Sequence, residues 1–170
     1  MKEIALILIC ALLLSGCTSK TRDSEIIADA VAAPAETAAA ELTEPRNLLD
    51  ATIYYGNENA DGFETTIFQV ETLDSPMLIR KLIEVGVLSE GTEILSEEIT
   101  GTCLFLDFNT TFQNRVCSMG TSGEYIIIGS LVNTFLDNFK DAIESVYITV
   151  NGEILESGHV IYDFELTYFD

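Results

Sequence analysis

TSGEYIIIGSLVNTFLDNFKDAI, residues 121–143, decides the fold. Ile127, Ile128, Leu131, Val132, Phe135, Leu136 and Phe139 recur at helical spacing. A stripe of that kind must be covered, most simply by a sheet. Thr121 and Glu124 stand at the S/T-x-x-E capping-box spacing, in which each side chain bonds the other residue's backbone N–H. The spacing predicts a helix that starts at Thr121 with Glu124 as its capping acid.

The flanking stretches supply strands. SVYITVNGEILES, residues 145–157, predicts a hairpin around Asn151-Gly152, because Asn-Gly suits the type I′ turn that matches strand twist. EILSEEITGTCLFLDFNTTF, residues 93–112, predicts two strands joined at Thr100-Gly101-Thr102. In the second of these, Leu104, Leu106 and Phe108 share one face, while Cys103, Phe105 and Asp107 share the other. Phe112 follows as a core candidate. HVIYDFELTYFD, residues 159–170, closes the chain as an edge strand or an extended tail.

Upstream, ATIYYGNENADGFETTIFQVE, residues 51–71, predicts a hairpin with strands near 52–55 and 63–71. Its turn starts like a calcium loop, but the twelfth position counted from Asn57 is Phe68, where an acid is needed. Asn, Asp and Gly are ordinary turn formers, so the turn reads as a plain hairpin loop. In LDSPMLIRKLIEVGVL, residues 73–88, Asp74 or Ser75 can cap a helix and Pro76 suits its first turn. Leu78, Ile79, Leu82 and Ile83 form the apolar face, and Gly86 marks the stop. The order β-β-α-β-β-α-β-β predicts an α+β domain, with two helices packed on one face of a small mixed or antiparallel sheet.

The chain start sets the compartment. A lysine, then the uncharged apolar residues 4–14, then Leu14-Ser15-Gly16-Cys17 read as a secretion signal. The apolar run is too short for a hydrocarbon core of roughly 30 Å. The ending resembles the bacterial lipobox, whose cysteine is lipidated and becomes the new N-terminus. Residues 1–16 are then a signal peptide and Cys17 the lipid anchor, with two or three chains and no transmembrane helix. Residues 17–46, with ADAVAAPAETAAAEL at their centre, are rich in alanine and acid and read as a flexible, partly helical spacer. Residues 47–170 form the domain. The expected location is the extracytoplasmic face of a cell membrane.

The net charge is −20. That excess excludes nucleic acid as a partner, since no basic stripe displaces counterions. It also excludes electrostatic docking on anionic headgroups, so the lipid must hold the protein to the membrane.

Residues 91–163 resemble a GerMN domain, the module named after a germination and sporulation lipoprotein. GTEILSEEITGTCLFLDFNTTF, GTSGEY, SLVNTF and VYITVNGE carry the resemblance, with IYYGNENADGF and the helix from Ser75 in support. The resemblance implies an envelope lipoprotein with a fold like the ring-building modules of secretion and sporulation complexes. In the sporulation lipoprotein the domain is duplicated and supports a channel between mother cell and forespore; a single copy is visible here. The matching motif positions are Asp107, Glu124, Thr134 and Gly152. Each has a structural account: a turn cap, the capping acid, a bond within the helix, and a positive φ.

Motifs of reaction chemistry are missing. His159 is the single histidine and has no ligand cluster at zinc spacing. No G-x-S-x-G elbow or phosphate loop occurs. No catalytic residue, metal or cofactor is expected. Cys103 and Cys117 form a candidate disulfide; it would close a loop of about 15 residues, worth about 3 kcal/mol in the entropy model. The alternative is two buried thiols. The expected function is a non-enzymatic, lipid-anchored assembly module whose partners are envelope proteins. The alternative is a lipoprotein that binds a small ligand or cell-wall fragment and feeds a membrane sensor.

Overall fold

The computed structural model describes residues 47–170. The expected signal peptide at 1–16, the expected lipidation site Cys17 and the expected spacer at 17–46 lie outside the described residues. In chain order the elements are β1 (Leu49–Gly56), β2 (Phe63–Val70), α1 (Ser75–Glu84), β3 (Ile94–Thr100), β4 (Cys103–Phe108), α2 (Thr110–Cys117), α3 (Thr121–Asn138), β5 (Ser145–Val150) and β6 (Glu153–Ile154). The α+β class holds. The described domain differs from expectation in having three helices and a separate two-stranded sheet.

β1 and β2 form the expected antiparallel hairpin, with Leu49 opposite Val70 and Gly56 opposite Phe63. Its loop is closed locally: Asn57 and Asp61 bond one another, and the Asn57 N–H donates to Gly62 O at 3.0 Å. The second sheet has the order β3-β4-β5-β6 and is mixed. β4 and β5 run parallel, while β3 and β6 are antiparallel to their neighbours. A parallel pair needs a long crossover, and α2 and α3 provide it. The final segment is an extended tail. Leu166 exchanges backbone bonds with Val146 at 2.8 and 2.9 Å, but no strand forms there.

α1 is capped by Asp74, whose side chain accepts from Met77 N. Its Met77, Leu78, Ile79 and Leu82 are buried. α2 starts at Asn109, whose side chain accepts from Phe112 N, and it buries Phe112 and Val116. Arg115 on α2 donates to the carbonyls of Gly86 and Val87, which pins the turn after α1.

α3 is covered on more than one face. Its apolar stripe is buried as expected, from Ile127 to Leu136, with Phe139 partly buried. Gly129, Ser130, Asn133 and Thr134 on its other sides are buried as well. The helix meets both β1 and β5, so it touches both sheets. At Gly129 a Cβ would lie 2.3 Å from Phe63 Cζ, so the Phe63 ring can lie where it does only over a glycine.

Polar side chains on α3 close backbone groups that strands would otherwise pair. Asn138 accepts from Thr52 N at 3.0 Å and donates to Thr52 O at 2.6 Å. Asn133 does the same for Phe169, accepting from N and donating to O at 2.9 Å each. Each amide thus serves as one residue of an adjacent strand. Asn138→Ala strands both groups of Thr52, and we expect a loss of about 2 kcal/mol of unfolding free energy in denaturant titration. A loss below a few tenths would show that water replaces the amide.

Candidate functional site

The motif residues fall at three places, since Asp107 and Gly152 bond one another, and each place binds the chain to itself. Asp107 ends β4 beside the β5–β6 turn. Its Oδ1 accepts from Thr149 Oγ1 at 2.7 Å and from Gly152 N at 2.8 Å. That turn puts Asn151 at φ 51° and Gly152 at φ 78°, the positive pair of a type I′ hairpin. Asp107 therefore fixes where β6 leaves the sheet.

Glu124 is not a capping acid. The cap of α3 is Gly120, and no side chain bonds there. Thr121 is the first helical residue. Glu124 precedes Ile127, Ile128 and Leu131 by three, four and seven positions, so it shares their buried face. It is 2% exposed. Its Oε1 accepts from Ser157 Oγ at 2.5 Å and from Tyr162 Oη at 2.6 Å. Ser157 Oγ in turn accepts from the N–H groups of His159 and Val160. Burial, and then the bond to Glu124, push the Tyr162 phenol well above its ordinary range. The cluster ties the 157–162 loop to the start of α3. His159 is exposed on that loop.

Thr134 also bonds outside its helix. Its Oγ1 accepts from Tyr54 N at 3.0 Å, so it serves the edge of β1. Tyr54 sits two residues from Thr52, and the next turn of α3 reaches that residue through Asn138.

The candidate disulfide is not formed; Cys103 and Cys117 are free thiols. Strand alternation explains the separation. Leu104, Leu106 and Phe108 face the core, and Phe112 of α2 stacks on Phe108 there. Cys103 points to the opposite face of β4, near Ser145 and Glu165. Cys117 ends α2, is exposed, and donates to Glu156 O at 3.5 Å. The sheet stands between the two sulfurs. Burial raises the Cys103 thiol above its usual range.

Apart from these bonds, a groove of about 540 Å³ opens between α1 and the start of β3. Pro76, Ile79, Ile83 and Ile94 give it apolar walls, with Arg80 and Glu93 at its rim. Thr92 also lines it, and its buried hydroxyl has no hydrogen-bond partner. Among the described residues, no group of three or more His, Cys, Asp or Glu side chains could hold a metal ion. No helix among them is long and apolar enough to cross a membrane.

Sequence reasoning missed Ser157, Tyr162, Asn133 and Asn138. A carboxylate in phase with an isoleucine stripe was the available signal for the first two; the asparagines carried none.

A family model described as Germane, sporulation and spore germination, matches residues 52–156. Among solved structures, the tandem GerMN domains of the sporulation protein GerM from Bacillus subtilis superpose with a TM-score of 0.58 at 18% identity. That match covers 76% of this chain and 49% of the other, so the chain spans about half of the tandem protein. The first GerMN domain of the same protein gives a TM-score of 0.56 at 17% identity, over 70% of this chain and 97% of that domain. At such identities the likeness is one of fold. No curated protein matches the chain significantly.

Proposed function

The chain belongs to the Germane family of sporulation and spore germination domains, and on that premise we propose that it is a non-enzymatic, lipid-anchored envelope protein acting as an assembly module. One observation carries the reading: the polar side chains at the motif positions are spent on the chain's own frame. Glu124 holds Ser157 and Tyr162, Asp107 holds Thr149 and Gly152, and Thr134 holds the Tyr54 N–H. Side chains engaged in this way shape surfaces for other molecules to meet. The lipobox-like Leu14-Ser15-Gly16-Cys17 supports the anchor, and the acidic balance leaves the lipid as the means of holding the membrane.

The test has two arms. Metabolic fatty-acid labelling is expected to mark the wild-type protein and to vanish in Cys17→Ala. Native protein cross-linked in envelopes and solubilised in detergent is expected to carry stoichiometric partner chains, more of them in sporulating than in growing cells. An unlabelled wild type removes the anchor from the reading. A labelled protein that co-purifies with nothing removes assembly.

A second reading, capture of a small ligand or wall fragment, is favoured by the groove beside α1. A thermal-shift screen with wall fragments separates it, because a ligand in that groove raises the melting temperature.

A further inference from the structure

Among the described residues β3 and β2 each leave one edge unpaired, while the other two sheet margins are covered. β4 pairs with one of its edges, and among the described residues no strand pairs with the other. The far margin of the same sheet is closed by β6 and by the Leu166–Val146 bridge. The margin of β1 is closed by Thr134 and Asn138. From Leu95 to Thr100 every residue of β3 is exposed, with Leu95 at 50% and Ile99 at 53%. An uncovered edge strand is a template for pairing with another chain.

Charge and shape select the occupant. Between Lys81 and Arg115 the sequence has no lysine or arginine, while Glu93, Glu97 and Glu98 lie on or beside β3. Glu98 is paired with Phe105, and Ser96 with Asp107, so Glu98 and Asp107 share the outer sheet face. The inner side of the strand begins at Ile94, which walls the apolar groove with Ile79 and Ile83. A strand added to β3 would turn alternate side chains toward the acids and toward the groove. A second copy of β3 would bring the same glutamates, on a chain of net charge −20, and repel. The free edge of β2 suits a basic strand less well, because Arg80 and Lys81 lie close to it and Lys81 sits 4.3 Å over the Phe68 ring.

We propose that the free edge of β3 docks an extended segment of another protein that alternates basic and apolar residues. Its main chain pairs with β3, its apolar side chains enter the groove beside α1, and its basic side chains meet Glu98. Main-chain bonds give such docking its affinity and alternate side chains its specificity. The site deepens the assembly reading and rests on it.

The test uses the full-length chain in detergent and two peptides of about eight residues, an ordinary strand length. One alternates lysine and valine; the other has the same composition in two blocks. Fluorescence anisotropy is expected to show the alternating peptide binding roughly tenfold tighter or better. Glu97→Pro, which removes an N–H from the strand, should weaken it by roughly tenfold. The double reversal Glu97→Lys, Glu98→Lys should do the same with thermal unfolding intact, and it guards against a proline variant that fails to fold. Equal binding of the two peptides, or binding indifferent to the reversal, reduces the effect to bulk charge and overturns the site. So does no binding, or a dimer of this chain that Glu97→Pro abolishes. Peptide failure with envelope partners still cross-linked sinks the β3 site alone; peptide binding with no partners in the envelope sinks the assembly reading instead.

Discussion

Phe112→Ala is expected to lower the unfolding free energy by about 3–5 kcal/mol in denaturant titration of the full chain. Phe112 is fully buried and stacks on Phe108, ring centroids 4.3 Å apart and 23° between planes. The pair joins α2 to β4. Truncation removes the transfer energy of the ring and leaves a hole that a short helix anchored by Phe112 and Val116 cannot close. Total stabilities of small domains are about 5–15 kcal/mol, so this loss threatens folding itself. Phe112→Leu keeps most of the volume and should lose about 1.5 kcal/mol or less. A loss under 1 kcal/mol for the alanine variant would mean that α2 is not docked on the sheet.

Glu124→Ala is expected to lose about 3 kcal/mol, because the Ser157 and Tyr162 hydroxyls lose a shared charged acceptor inside the protein. Glu124→Gln, which keeps an acceptor oxygen, should lose less. The same cluster shapes the alkaline limit. The Tyr162 phenol is raised above its ordinary 10.0, first by burial and then by its bond to Glu124. Above that ordinary value the unfolded chain has released this proton and the folded chain keeps it. The unfolded state then binds fewer protons, and stability falls as pH rises. The contribution is whole below pH 10.0 and declines above it. Tyr162→Phe should start less stable at neutral pH and show a shallower alkaline slope. Parallel slopes for wild type and Tyr162→Phe would place the titration elsewhere, on Tyr54 or Tyr168, which burial also raises.

Where local chemistry determines structure, the sequence was readable. Asp74 and Pro76 announce α1, Asn151-Gly152 announces its turn, and the stripe from Ile127 to Leu136 announces α3. α2 was not readable, because eight residues with two buried side chains, Phe112 and Val116, show no period. Phe112 stood out as a core residue all the same. The capping-box spacing at Thr121 misled, since the same interval also puts Glu124 in phase with the buried isoleucines. What binds Glu124 lies 33 and 38 residues away, beyond any local pattern. Cys103 and Cys117 are close in sequence, yet strand alternation sends them to different sides of the sheet. The open edge of β3 has no sequence sign, for openness depends on what fails to come near.

The hydrogen bonds of Asn133 and Asn138 to Phe169 and Thr52 go to main-chain atoms. An amide that reads N–H and C=O accepts nineteen of the twenty amino acids across from it, every one but proline. The joints between α3 and its neighbours therefore place almost no demand on the letters at positions 52 and 169. Those letters are free to drift while the architecture stays, so chains of this shape can share a fold with very little shared spelling.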